Sequence, residues 1–301
     1  MQLMTDGSLW YVVKMSTHDN NRARLTPLLD NLYKKYSLSY LESDPIYFPH
    51  QYKDPLDIEI VGLISSALAY GKVDLFKPKI AYILGVMGKS PSVYIRNFDP
   101  VGEKRFDSFV YRFNRGADIT HLLSVIQLII KDSGSIKGFF LKGYTTGDPD
   151  IGKALSSFVI RVLEMDCMEA FPDGRLSEGF RHLFPTPGKG GCKRLNMYLR
   201  WMVRKDSIDF GLWKEIPSSK LIMPIDTHVA RLSRYLGLSK RKSVDWKMAK
   251  EVTESLKILD PMDPVKYDFA LSRLGILNEC PAKREGIKCW ECGIRGVCVR
   301  P

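Results

Sequence analysis

The feature that most restricts what this chain can fold into is its apolar spacing. That spacing recurs at three and four residues, and no run of alternating apolar and polar residues lasts long enough to build a sheet. Residues 57–70 (DIEIVGLISSALAY) put Ile58, Val61, Ile64 and Leu68 on one helical face, with Asp57 placed to cap the start and Gly71 to close the end. A second helix is expected at 74–87, ended by Gly88 and Pro91, so that the two form a helical hairpin. Further helices are expected near 118–131, 150–165, 175–183, 193–204, 227–236, 246–259 and 264–275, separated by punctuation such as 143–149 (GYTTGDP). The expected class is all-α, without internal repeats.

At 301 residues and 45% hydrophobic content, such helices can bury one substantial core or two linked ones. The formal charge of +11 favours a polyanionic partner, because each neutralised phosphate releases counterions. A membrane surface would attract the same charge, but no apolar run reaches the roughly 20 residues that span a bilayer. Asp6 and Lys14 interrupt the one N-terminal candidate. A soluble, cytoplasmic protein is expected. Residues 1–14 read either as an extension or as sequence upstream of a start at Met15.

Four of the six cysteines fall in the last 22 residues, and no secretion signal precedes them, which favours metal over disulfides. Cys280, Cys289, Cys292 and Cys298 are spaced C-x8-C-x2-C-x5-C. Four thiolates on a short loop can hold a [4Fe–4S] cluster or a tetrahedral zinc ion. Zinc ribbons usually pair two close C-x2-C knuckles and this loop has one, which tilts the reading to iron–sulfur. Cys167 reads as packing; Cys192, beside Lys193, reads as packing or as part of a site.

Residues 185–205 (PTPGKGGCKRLNMYLRWMVRK) form a Pro/Gly turn opening into a helix, with six basic residues and no acidic one. Gly188, Gly190 and Gly191 let the backbone approach a ligand, and the helix start offers unpaired N–H groups to an anion. Lys193 falls in the first helical turn, where the dipole and neighbouring cations favour a neutral, nucleophilic amine. A solvated basic helix start would look the same. In 224–238 (PIDTHVARLSRYLGL), Asp226 is a sufficient N-cap for a helix carrying Val229, Leu232 and Leu236. His228 alone reads as a surface or hydrogen-bonded residue.

In this order, the glycine turn ending in Lys193, the IDTHVARLSRYLGL segment and the terminal four-cysteine loop resemble the helix-hairpin-helix DNA glycosylase superfamily, which includes endonuclease III. The family's hairpin, L-P-G-V-G-x-K-T-A-N, matches at Gly190, Lys193 and Asn196. Its V-D-T-H-V matches at Asp226, and its C-x6-C-x2-C-x5-C loop differs by two residues in the first gap. Residues 63–73 (LISSALAYGKV) resemble the family's early helix, which ends at the damaged-base pocket. The likeness covers about 57–90 and 183–300. The hairpin has one extra residue, Lys189 replaces its apolar member, and Arg194-Leu195 replaces Thr-Ala. The 33-position gap from Lys193 to Asp226 is closer to the archaeal 8-oxoguanine glycosylases, and an uncharacterised bacterial branch of the superfamily fits as well.

The resemblance implies two helical lobes. Residues 51–200 would form the bundle that ends in the hairpin and the Lys193 helix; residues 201–301 would form the second lobe with the cluster loop 280–298. Residues 1–50 would pack with that second lobe. It further implies a monomeric base-excision enzyme that removes a damaged, oxidised base from double-stranded DNA and carries an abasic-site lyase activity. Lys193 would be the nucleophile and Asp226 the catalytic carboxylate. Gly188, Lys189, Gly190, Gly191, Arg194, Asn196, His228 and Arg231 would contact DNA, and the four cysteines would hold a structural [4Fe–4S] cluster, with zinc as the alternative.

Overall fold

The computed structural model describes residues 24–166, 175–188, 190–281, 283 and 285–299. Lys189, Cys167 and residues 1–14 lie outside the described residues. The described chain is helical apart from a two-stranded hairpin, β1 (Val110–Tyr111) against β2 (Asn114–Arg115). Strands of two residues are too short to show alternation in sequence.

The helices are α1 (24–35), α2 (Pro55–Leu68), α3 (Val73–Met87), α4 (Pro91–Arg96), α5 (Gly116–Ser133), α6 (Ile136–Leu141) and α7 (Gly152–Leu163). They continue with α8 (Glu178–Leu183), α9 (Lys193–Val203), α10 (Thr227–Tyr235), α11 (Trp246–Lys257), α12 (Asp268–Ile276) and α13 (Gly286–Trp290). Of these, α1, α4, α6 and α13 go beyond the helices expected from periodicity. Three are only five or six residues long, and helices of that length hold their shape through packing rather than propensity.

The cap of α2 differs from the expectation. Asp54 is the N-cap, accepting from the amides of Leu56 (2.9 Å) and Asp57 (3.1 Å), because Pro55 presets the first helical φ. Asp57 sits in the first turn and accepts from the Ser92 amide at 2.6 Å instead. Likewise Pro91 opens α4 rather than merely ending α3. From Asp57 to Leu68, α2 is buried throughout, packed against α3, α4, α6 and α9. Gly62 permits the α9 contact: a Cβ there would lie 3.0 Å from Met202 Cε and 3.1 Å from the Tyr198 ring. Glu59, buried on the same helix, accepts from the Trp213 indole (3.0 Å) and the Lys137 amide (3.0 Å), and burial raises its pKa.

Beyond α9 the chain folds over a buried charge cluster. Arg200 pairs with Asp209 and Asp268, and Arg204 with Asp206, Asp209 (2.9 Å) and Asp263 (2.7 Å). α10 packs on α12. Helix α1 lies against this part of the chain: Asp30 accepts from Tyr267 (2.9 Å), and the Tyr33 hydroxyl donates to Asp206 (2.8 Å). No helix among the described residues is long and apolar enough to cross a membrane.

Candidate active site

A cleft of about 750 Å³ opens where α9, the α10 start, α12 and the α2–α3 link meet. Lys193, Met197 and Arg200, spaced four and then three residues apart, present one face of α9 to it. The turn before α9 is wound tightly. Gly188 has φ +100° and Cys192 φ +46°, and the Asn196 amide side chain donates to Gly191 O at 3.2 Å. Glycine is demanded at 188 by that φ. At 191 the carbonyl of Ile225 would lie 3.4 Å from a Cβ, so the turn rests on the strand of chain leading to Asp226.

Asp226 is the N-cap of α10, as its sequence context expects, and its two oxygens have different duties. Oδ1 accepts from the amides of His228 (2.9 Å) and Val229 (2.8 Å). Oδ2 faces Lys193 Nζ at 3.7 Å. Lys193 and Asp226 are 28% and 22% exposed, so the pair borders the cleft and stays reachable from solvent. The amine therefore faces a carboxylate rather than the cluster of cations expected from the sequence.

Several residues expected at DNA are used otherwise. Arg194 is buried, its guanidinium donating to the carbonyls of Ala67 and His182 and lying 5.1 Å over the Tyr70 ring. Burial lowers its pKa to about 10. Such a side chain ties α9 to α2 and α8 and is not available to a phosphate, because the buried carbonyls hold it. Asn196 is buried too and serves the turn. With Arg200 and Arg204 in the charge cluster, three of the six basic residues of 185–205 point inward. Gly190 is open to a ligand, with nothing within 4 Å of a Cβ built on it. Arg231 donates to Cys280 O at 2.7 Å, linking α10 to the cysteine loop. His228 lines the cleft and packs on Gly275 of α12, where a Cβ would come within 2.6 Å of the His228 Cβ. Gly275→Ala should therefore cost about 1–3 kcal/mol by overpacking, measurable by thermal unfolding.

Sequence reasoning missed Asp268. It is buried beside Arg200 and lines the cleft with Lys193 and Asp226. Burial pushes its carboxyl up to about 6, with Arg200 and Lys193 pulling the other way. Nothing in the linear text YDFALSRLG marks it, since its partner lies 68 positions away. The α2–α3 link, through Ala69, Gly71 and Lys72, also borders the cleft.

The cysteine loop lies elsewhere. Cys280, Cys289, Cys292 and Cys298 all line one cavity of about 480 Å³, together with Trp290 and Arg295, whose guanidinium stacks 3.7 Å from the indole centroid. Among the described residues no group of three or more His, Cys, Asp or Glu is gathered so as to hold a single metal ion. The loop is held at its edges by Val299 N donating to Tyr235 O (2.7 Å) and by Arg24 donating to Gly296 O (2.7 Å).

Residues 44–277 match the family described as "Protein of unknown function (DUF2400)". The chain belongs to that family. The DUF2400 match takes in Lys193, Asp226 and Asp268 and ends before the four cysteines. No curated protein and no solved structure matches the chain.

Proposed function

We propose that this protein is a DNA N-glycosylase with an associated abasic-site lyase activity, built on the two-lobed helix-hairpin-helix architecture and acting on duplex DNA that carries a damaged, oxidised base. The observation that carries the reading is Lys193 Nζ facing Asp226 Oδ2 at 3.7 Å on the wall of a cleft of about 750 Å³. The succession of α8, a tight glycine turn and α9, with the lysine in the first turn of the second helix, supports it. A base must leave the stack before any group can reach its sugar, and a cleft of this size accommodates a flipped nucleotide. Asp226 accepts the Lys193 proton. The amine lone pair then forms a bond to C1′ as the glycosidic bond breaks and its electron pair departs with the base. One of the two protons left on the nitrogen then passes to the ring oxygen O4′ as the C1′–O4′ bond breaks, giving an iminium that keeps the other proton; loss of a C2′ proton then expels the 3′ phosphate by β-elimination and breaks the strand. The carboxylate also stabilises the positive charge that develops on the sugar. Borohydride reduction of that iminium on a panel of lesion-containing duplexes tests the reading directly. A protein that traps on none of them, nor on an abasic duplex, is not this enzyme.

Cys280, Cys289, Cys292 and Cys298 would hold a [4Fe–4S] cluster, since four thiols around one cavity are the donor set such a group takes. Its contribution would be a crosslink that steadies the loop against α10 and α1, and the chemistry needs no electron from it. Anaerobically purified protein should absorb broadly near about 400 nm. Stoichiometric zinc without iron would overturn the assignment in favour of a zinc loop. Cys292→Ser should lower the folded yield, because cluster binding contributes folding free energy.

Duplex affinity should fall steeply with salt. Arg194 is too buried to contribute, so the cations to test are Lys242 and Lys247, exposed at the start of α11 where Asp245 approaches Gly191. Each alanine variant should flatten the log–log salt slope by up to about one unit, and salt-independent binding would count against the model of phosphate contact.

A further inference from the structure

The carboxylates that line the cleft are Glu42, Asp44, Asp74, Asp226 and Asp268. Glu42 and Asp74 are exposed. Both oxygens of Asp44 are taken, Oδ1 by the Ile46 amide (3.0 Å) and Oδ2 by Arg273 (2.8 Å). Asp226 caps α10 with one oxygen and faces Lys193 with the other. Asp268 differs from all of these. It stands in the first turn of α12, is 4% exposed, and gives Oδ2 to the Arg200 guanidinium, whereas Oδ1 accepts from no group among the described residues.

Arg200 lies about two turns along α9 from Lys193 and on the same face, so the carboxylate it holds shares a wall of the cleft with the amine. The charged groups around Asp268 are Lys193 and Arg200 from α9 and Asp226 from the start of α10. Arg200 is shared with Asp209, and on α12 itself Arg273 is paired with Asp44. Burial outweighs the two cations and raises the Asp268 carboxyl to about 6. A carboxylate of that kind takes up a proton at neutral pH more readily than an exposed one, and it is ionised to do so above about pH 6.

We infer that Asp268 is the base that removes the C2′ proton in the strand-breaking step, while Asp226 serves the amine. The inference rests on the glycosylase and lyase reading. Once Asp226 has taken the Lys193 proton it is a neutral acid with no capacity for a second, and the iminium still has to lose hydrogen from C2′. Asp268 Oδ1 forms a bond to that proton. The C2′–H pair becomes a C1′–C2′ double bond, and the π pair of the iminium returns to nitrogen. The nitrogen pair then re-forms the iminium, the C1′–C2′ π pair moves to C2′–C3′, and the C3′–O bond breaks with its electrons on the departing phosphate. Arg200 keeps the carboxylate oriented throughout by its bond to Oδ2.

The test is a single-turnover reaction on a duplex carrying a true abasic site, with borohydride trapping and strand scission followed in parallel. Asp268→Asn keeps an acceptor for Arg200 but cannot take up the proton. Scission should slow roughly 10²- to 10⁴-fold, while the trappable iminium accumulates to at least the wild-type level. In the wild-type protein, scission of the formed iminium should rise with pH and level off above about 6, because only the ionised carboxylate acts, and Asp268→Asn should lack that limb. An aspartate that only supports the fold would lower trapping and scission together. That equal loss overturns the inference, as does scission by Asp268→Asn at the wild-type rate. If the variant does not fold, the wild-type profile decides, and scission that is flat through about pH 6 overturns the role of Asp268. A wild-type protein that traps nothing overturns the lyase reading itself, whereas one that traps and whose Asp268→Asn variant still cuts overturns the part of Asp268 alone.

Discussion

Lys193→Gln should abolish borohydride trapping on abasic and damaged duplexes while binding DNA nearly as well as the wild-type protein. Glutamine approximates the reach of lysine but has no amine to form an iminium. The fold should survive, because the ion pair it removes is partly exposed and 3.7 Å long, and pairs of that kind contribute about 1 kcal/mol at most. Asp226→Asn separates the two duties of that carboxyl. Asparagine caps a helix as well as aspartate does, so the amides of His228 and Val229 keep an acceptor. The variant loses only the charge that faces Lys193. Stability should stay close to wild type and single-turnover base removal should slow by about 10²- to 10³-fold, the scale for removing one preorganised electrostatic group. If Asp226→Asn is both stable and fast, the aspartate is a cap and nothing more. Undiminished trapping by Lys193→Gln would make Lys189 the next candidate.

Asp209→Ala should be the most destabilising of these substitutions, at about 3–5 kcal/mol in denaturant unfolding, because it removes the buried carboxylate that two buried cations share. Asp209 Oδ1 pairs with Arg200 at 3.2 Å and Oδ2 with Arg204 at 2.9 Å, and all three side chains are nearly fully buried. The effect should reach the cleft, since Arg200 also holds Asp268. A loss below about 1 kcal/mol, the scale of an exposed pair, would mean the cluster admits water. Asp206 is the member of this cluster that contributes acid sensitivity. Burial opposes ionisation of Asp206, but Arg204 and the Asp209 amide hold its carboxyl down at about 2. A depressed carboxylate stabilises the fold above its unfolded pKa, near 4, and that contribution is lost as pH falls towards 2.

The sequence by itself determined the elements whose signals are local. Spacing at three and four residues sets α2, α3, α5 and α9, since an apolar stripe needs no knowledge of what it packs on. Local caps were legible for the same reason: Asp226 does accept from the amides two and three residues on, those of His228 and Val229. Where a neighbouring residue competed, the local reading slipped, as when Pro55 moved the cap of α2 to Asp54. The short helices and the β1–β2 hairpin carried no periodic signal and exist because the core and Tyr70 hold them.

Only the tertiary structure decided which charges face inward. The run 185–205 reads as a uniformly basic surface, yet Arg194, Arg200 and Arg204 are buried against carbonyls and carboxylates contributed by distant parts of the chain. Charge composition is a sum over residues, whereas a site is a set of distances. Lys193 and Asp226 could each be singled out in the text, but their 3.7 Å approach and the presence of Asp268 beside them depend on how α9, α10 and α12 pack. Burial of a charge is stable only where a partner already waits, and no partner 68 residues away can be read from its neighbours in sequence.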